Sequence, residues 1–89
     1  MRAIITVVGA DKVGIIAGIS GVLAEANVNI LDISQTTLQE YFTMMMMVDL
    51  SEKNVSLKEL KKELKSKGKS LGVSVKLQHE DIFQAMHRI

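Results

Sequence analysis

Apolar and polar positions alternate along this chain with two distinct periods, and the changes of period mark its elements. Ala3-Ile4-Ile5-Thr6-Val7-Val8 is a β-branched run of strand length. A short loop, Gly9-Ala10-Asp11-Lys12-Val13-Gly14, follows, and beyond it Ile15, Ile16, Ile19, Val22, Leu23 and Ala26 recur as one face of an α-helix. The spacing predicts a helix from about Val13 to Ala26, closed by Asn27-Val28-Asn29, because asparagine tolerates the left-handed conformation that ends helices. From Asn29 to Leu38, Leu31 and Ile33 are apolar while Asp32, Ser34 and Thr36 are polar, which predicts a strand with one dry and one wet face, hence an edge. Gln39-Glu40 is read as a short turn. Tyr41 to Leu50 has one wholly apolar face in Phe42, Met44, Met46, Val48 and Leu50, and Met45 and Met47 on the other, which predicts a central strand.

A second helix is predicted after the polar stretch Ser51-Glu52-Lys53-Asn54. Ser56 followed by Glu59 makes a capping box, Leu57, Leu60 and Leu64 give helical spacing, and Lys67-Gly68 is the expected end. Val73, Val75 and Leu77 then alternate with Ser74, Lys76 and Gln78, a one-sided strand and therefore a second edge. Ile82, Phe83, Met86 and Ile89 predict a short C-terminal helix. The order βαββαβ with right-handed crossovers gives an α+β, ferredoxin-like sandwich with antiparallel sheet order 4-1-3-2 and both long helices on one face. The apolar strands 1 and 3 fall in the centre of that order and the half-polar strands 2 and 4 at its edges. On the sheet face without helices, Met45, Met47 and alternate residues of strand 1 leave an apolar stripe that calls for cover by the C-terminal helix, a second chain, or both. Face-to-face contact between two copies through Met45 and Met47 is the favoured dimer geometry over edge-to-edge pairing.

Composition narrows the function. The 89 residues make one domain, 1–89, and a chain this short buries only about 60–65% of its unfolded surface, so self-association would add stability. No cysteine is present, which excludes disulfides, thiol catalysis and thiolate metal sites. No run reaches the ~18 apolar residues of a membrane span and no targeting segment precedes the first strand, so the expected compartment is the cytoplasm. The formal charge of +1 gives no overall attraction to nucleic acid. An RNA-binding module of this topology needs aromatic residues on strands 1 and 3; strand 1 has none, and Tyr41 and Phe42 lie only at the start of strand 3. An acylphosphatase-like enzyme would want an arginine in the first loop, which holds only Lys12.

Chemistry concentrates at the first loop. A helix start presents amide groups without partners inside the helix and suits a carboxylate or phosphate. Asp11 is placed either to cap that helix or to hold a ligand, and Lys12 reads as a solvated loop charge. Gly14, Gly18 and Gly21 form a bare strip on a flank of the helix, open to the second helix, to a partner chain or to a ligand. Lys58, Lys61, Lys62, Lys65, Lys67 and Lys69, interrupted by Glu59 and Glu63, read as a solvated helix face or as the seat of an anionic partner. His79, Glu80, Asp81 and His87 lack compact metal-ligand spacing, and no catalytic constellation, metal site or cofactor motif is present.

The segments Val8-Gly9-x-Asp11-Lys12-x-Gly14-Ile15-Ile16 and Asn27-Val28-Asn29-Ile30-Leu31-Asp32-Ile33, with the βαββαβ pattern, resemble an ACT domain over essentially the whole chain. They are similar to small stand-alone ACT proteins and to the ACT halves of the glycine-cleavage-system transcriptional repressor. Val13 stands where many ACT loops have proline. The resemblance implies a non-enzymatic regulatory homodimer that binds a small molecule, an amino acid by its chemistry, and conveys its presence to a protein partner. The implied ligand residues are Asp11, Lys12, Val13, Gly14 and Ile15 on one module and Asn29 and Ile30 on another. Amides of Gly14 and Ile15 would take the carboxylate, Asp11 or the Asn29 carboxamide the ammonium, and Ile15 and Ile30 would form an apolar wall. For Asn29 the plain alternative is that it only fixes the turn into strand 2. The alternative function is a constitutive interaction module without ligand, with the basic helix as its contact surface.

Overall fold

A computed structural model describes residues 1–10 and 14–80. The elements are β1 (Arg2–Ala10), α1 (Ile15–Glu25), β2 (Asn29–Leu38), β3 (Tyr41–Asp49), α2 (Leu57–Leu71) and β4 (Val73–His79). The strands form one antiparallel sheet in the order β2-β3-β1-β4, the expected 4-1-3-2 read from the other edge. The expected C-terminal helix and the loop residues Asp11, Lys12 and Val13 lie outside the described residues.

The core lies between the sheet and the helices. Ala3, Ile5 and Val7 of β1 and Phe42, Met44, Met46 and Val48 of β3 meet Ile15, Ile19 and Leu23 of α1 and Leu60 and Leu64 of α2, all buried. Val73, Val75 and Leu77 of β4 are half-buried against it, while Ser74, Lys76 and Gln78 are exposed, as the alternation requires. Helix α1 turns less of itself inward than its sequence promises: Ile16 remains 38% exposed.

Strand β1 runs on through Gly9 and Ala10, expected in the loop, and the end of α2 and the register of β2 also differ from expectation. Helix α2 does not end at Lys67-Gly68; it continues to Leu71 and is closed by Gly72 at φ 75°, the left-handed position that glycine fills without strain. Gly68 is instead buried inside the helix, because a β-carbon there would meet Val75 Cγ2 at 2.6 Å and the Val73 carbonyl oxygen at 3.0 Å. Strand β2 contains a bulge between Ile30 and Asp32. Ile30 and Ile33 therefore both stand opposite helix-side residues of β3, Val48 and Met46, and the simple alternation of Leu31 with Ile33 is broken.

The turns behave as their residues suggest. Ser56 Oγ accepts from the Glu59 amide at 3.1 Å and starts α2, and Asn27, at φ 58°, carries the chain out of α1. The two-residue connection Gln39-Glu40 joins paired residues Leu38 and Tyr41, with Gln39 at φ 56°.

Candidate functional site

The start of α1 is built by glycine. Gly14 takes φ 91° at the N-cap, with open space where a β-carbon would stand, and the first intrahelical bond runs from the Gly18 amide to the Gly14 carbonyl oxygen at 2.8 Å. The amides of Ile15, Ile16 and Ala17 precede that bond, so they have no acceptor within the helix. Ile15 contributes only backbone here, because its side chain is 2% exposed and belongs to the core. The exposed apolar side chain of this turn is Ile16.

Asn29 and Ile30 lie at the other end of the sheet. Asn29 pairs with Asp49, which pairs with Arg2 at the beginning of β1, whereas α1 starts beyond Ala10, level with Tyr41 and Leu38. Eight strand residues separate those levels, roughly 27 Å at the usual rise. Within one chain Gly14 and Ile15 are therefore kept apart from Asn29 and Ile30. Ile30 is half-buried against the core and Asn29 is exposed.

Asn29 opens onto a cleft of about 370 Å³ shared with Asn27, Asp49, Ser51 and Glu52. Its polar atoms are already organised. The Ser51 hydroxyl donates to Asp49 Oδ1 at 2.6 Å, the Ser51 amide donates to the same oxygen at 2.9 Å, and the N-terminal ammonium donates to Ser51 Oγ at 3.1 Å and stands 3.7 Å from Asp49. These bonds, the Ser51 hydroxyl first and its amide next, hold the Asp49 carboxyl below its usual range, with the N-terminal charge helping and slight desolvation opposing. Asn27 Nδ2 donates to the Glu52 carbonyl oxygen at 2.8 Å.

Sequence reasoning missed Asp49 and Ser51. Counting back from the Gln39-Glu40 turn would set Asn29 opposite Leu50, and only the bulge brings Asp49 level with it. No residue in the sequence announces that bulge.

The glycine strip divides by partner. A β-carbon at Gly18 would meet Leu71 Cδ1 of α2 at 2.9 Å, so this glycine serves helix–helix packing; Gly21 faces open space. His79 is half-buried, and among the described residues no group of three or more His, Asp or Glu side chains could hold a metal ion. No helix among the described residues is long and apolar enough to cross a membrane.

The model of the ACT domain family matches residues 2–78. The chain belongs to that family. Among its ACT-domain relatives is a UPF0237 protein of Clostridium acetobutylicum, 63% identical over 89 residues and covered in full, as this chain is. An ACT domain protein from Streptococcus pneumoniae superposes with a TM-score of 0.81 at 51% identity, covering 97% of both chains. A glycine cleavage system transcriptional repressor superposes with a TM-score of 0.75 at 23% identity, over 86% of this chain and 44% of that one, a likeness of fold. ACT domains are in general regulatory modules that bind small ligands and often dimerise, and the ferredoxin-like topology expected from the sequence is theirs.

Proposed function

We propose that this ACT-domain protein is a homodimeric sensor of a small molecule, an amino acid by the chemistry of its groups, held between two copies. Asp11, Lys12, Val13, Gly14 and Ile15 of one copy form one side of the site, and Asn29 and Ile30 of the partner subunit form the other. The observation that carries this reading is the separation just described. One chain keeps Gly14 and Ile15 at the opposite end of β2 from Asn29 and Ile30, and two β2 strands paired antiparallel would bring the start of one strand to the α1 end of the other subunit. β2 is suited to that pairing: it is an edge strand whose Leu31, Ile33 and Leu38 are 45%, 38% and 72% exposed. This geometry is favoured over face-to-face stacking, because Met45 and Met47 are half-buried within their own sheet.

Backbone amides at the start of α1 take the ligand carboxylate, and Asp11 or the Asn29 carboxamide oxygen takes its ammonium. Ile16 of the first subunit and Ile30 of the partner subunit supply apolar contact. The ligand touches both subunits, so it stabilises the pair over the separate chains and shifts the population that a protein partner meets. A coupling of about 1–3 kcal/mol suffices for such control.

The test is thermal unfolding of the purified protein with each of the twenty amino acids. One amino acid, at about a hundred times its dissociation constant, should stabilise by about 2.7 kcal/mol. Asp11→Ala and Asn29→Ala should each abolish the response while leaving the ligand-free midpoint nearly unchanged. A protein that responds to none of the twenty refutes amino-acid sensing, and then the constitutive interaction module is the better account, favoured by the basic flank of α2.

A further inference from the structure

The two edges of the sheet are chemically opposite. β2 presents apolar side chains, whereas β4 lies beneath a row of lysines. At 100° per residue, Lys58, Lys61, Lys65 and Lys69 fall within about 80° on one flank of α2, and Glu59 and Glu63 fall on the other. All four lysines are exposed, and among the described residues no carboxylate pairs with any of them. Their flank overhangs β4, where Lys61, Lys65 and Lys76 line a groove of about 280 Å³ floored by Leu64, Val75 and Leu77. Among the described residues no acidic side chain lines it. Among the described residues the outer edge of β4, seven residues long, pairs with no other strand.

We infer that this groove receives an extended acidic segment of a partner protein, which adds to the sheet as a fifth strand along β4. A free strand edge offers amide donors and carbonyl acceptors in alternation, a match for another peptide backbone. Acidic side chains at alternate positions of the added strand reach Lys61 and Lys65 on the helix side, and the intervening side chains lie beside Lys76 and Gln78 on the open face of the sheet. A second copy of this chain does not fit, because β4–β4 pairing sets lysine against lysine. Nucleic acid fits less well than peptide: phosphates would face the carbonyl half of the edge, and among the described residues no aromatic ring lines the groove to stack a base. The inference names the partner side of the regulatory reading and rests on it to that extent, yet it uses the β4 edge rather than the β2 edge and is testable without ligand.

A fluorescent heptapeptide alternating glutamate with valine or threonine serves as the probe, with the same composition interrupted by proline, a lysine-for-glutamate version and a short oligothymidylate beside it. Anisotropy should show the acidic strand binding, more weakly as salt rises. Hydrogen exchange should show new protection confined to amides 73–79. Reversal at Lys61→Glu with Lys65→Glu should weaken binding about tenfold or more, while Lys67→Glu, on the flank toward α1, should leave it unchanged. Absence of binding, equal binding of the proline-interrupted peptide, unchanged exchange at β4, or preference for the oligonucleotide overturns the inference. An amino-acid screen without response leaves it standing, so the two proposals fail separately.

Discussion

Two glycines that look alike in the sequence do different work, and the same substitution tests the difference. At Gly21 a β-carbon would meet nothing within 4 Å, so Gly21→Ala should stabilise the protein by about 0.5–1 kcal/mol through backbone entropy alone. At Gly68 it would meet Val75 and the backbone of Val73, so Gly68→Ala should destabilise by about 1–3 kcal/mol despite alanine's better helix propensity. Urea titration of both variants checks the opposite signs. Asp49 gives a second test at this scale. Its carboxyl ionises more readily folded than unfolded, so its contribution to stability is present above the ordinary value of 3.8 and is lost as pH falls through the lower, folded value. The difference in thermal midpoint between wild type and Asp49→Asn should therefore be constant near neutral pH and shrink toward zero in strong acid. Nothing in the neighbourhood of Asp49 in the sequence separates it from an ordinary strand-end carboxylate, because its partners come from the next turn and from the N-terminus.

Element by element, the sequence was most legible where a local rule and the hydrophobic period agree. Ser56 and Glu59 mark the start of α2 because the capping bond is local, and Ser56→Ala should cost about 1 kcal/mol in chemical denaturation, with the α2 amides exchanging faster. The end of α2 is not legible in the sequence because Gly68 and Gly72 are equally plausible stops by composition; only the closeness of β4 shows that the first is needed for packing, while the second is needed for its dihedral. The helix therefore carries one more turn, which brings Lys69 to the end of the lysine row and Leu71 beneath Gly18. In β2 the periodicity was read correctly as an edge, yet the bulge moved Ile30 and Ile33 to one side and set Asn29 beside Asp49. A bulge adds one residue without changing the composition of either face, so the alternating pattern carries little trace of it.

At the scale of the whole molecule, the strand order follows from the βαββαβ connectivity with right-handed crossovers, and burial agrees with it: the two strands apolar on both faces sit in the middle and the two half-polar ones outside. The candidate site is only half legible, since Gly14 and Ile15 lie at the opposite end of the sheet from Asn29 and Ile30 and a single chain cannot show that they meet. The two dimer geometries make different demands on single side chains. If β2 strands pair, Ile33→Lys places a charge in each copy close to the two-fold axis, and the like charges should shift the protein to monomer in sedimentation and remove any amino-acid response. Met47→Lys, on the other face of the sheet, should then leave a dimer. Stacking of the open faces demands the reverse, because Met47 would be buried in that interface and Ile33 would remain in water. The pair of variants therefore decides which surface closes the site, and a dimer that survives Ile33→Lys but not Met47→Lys would return the interface to the methionine face.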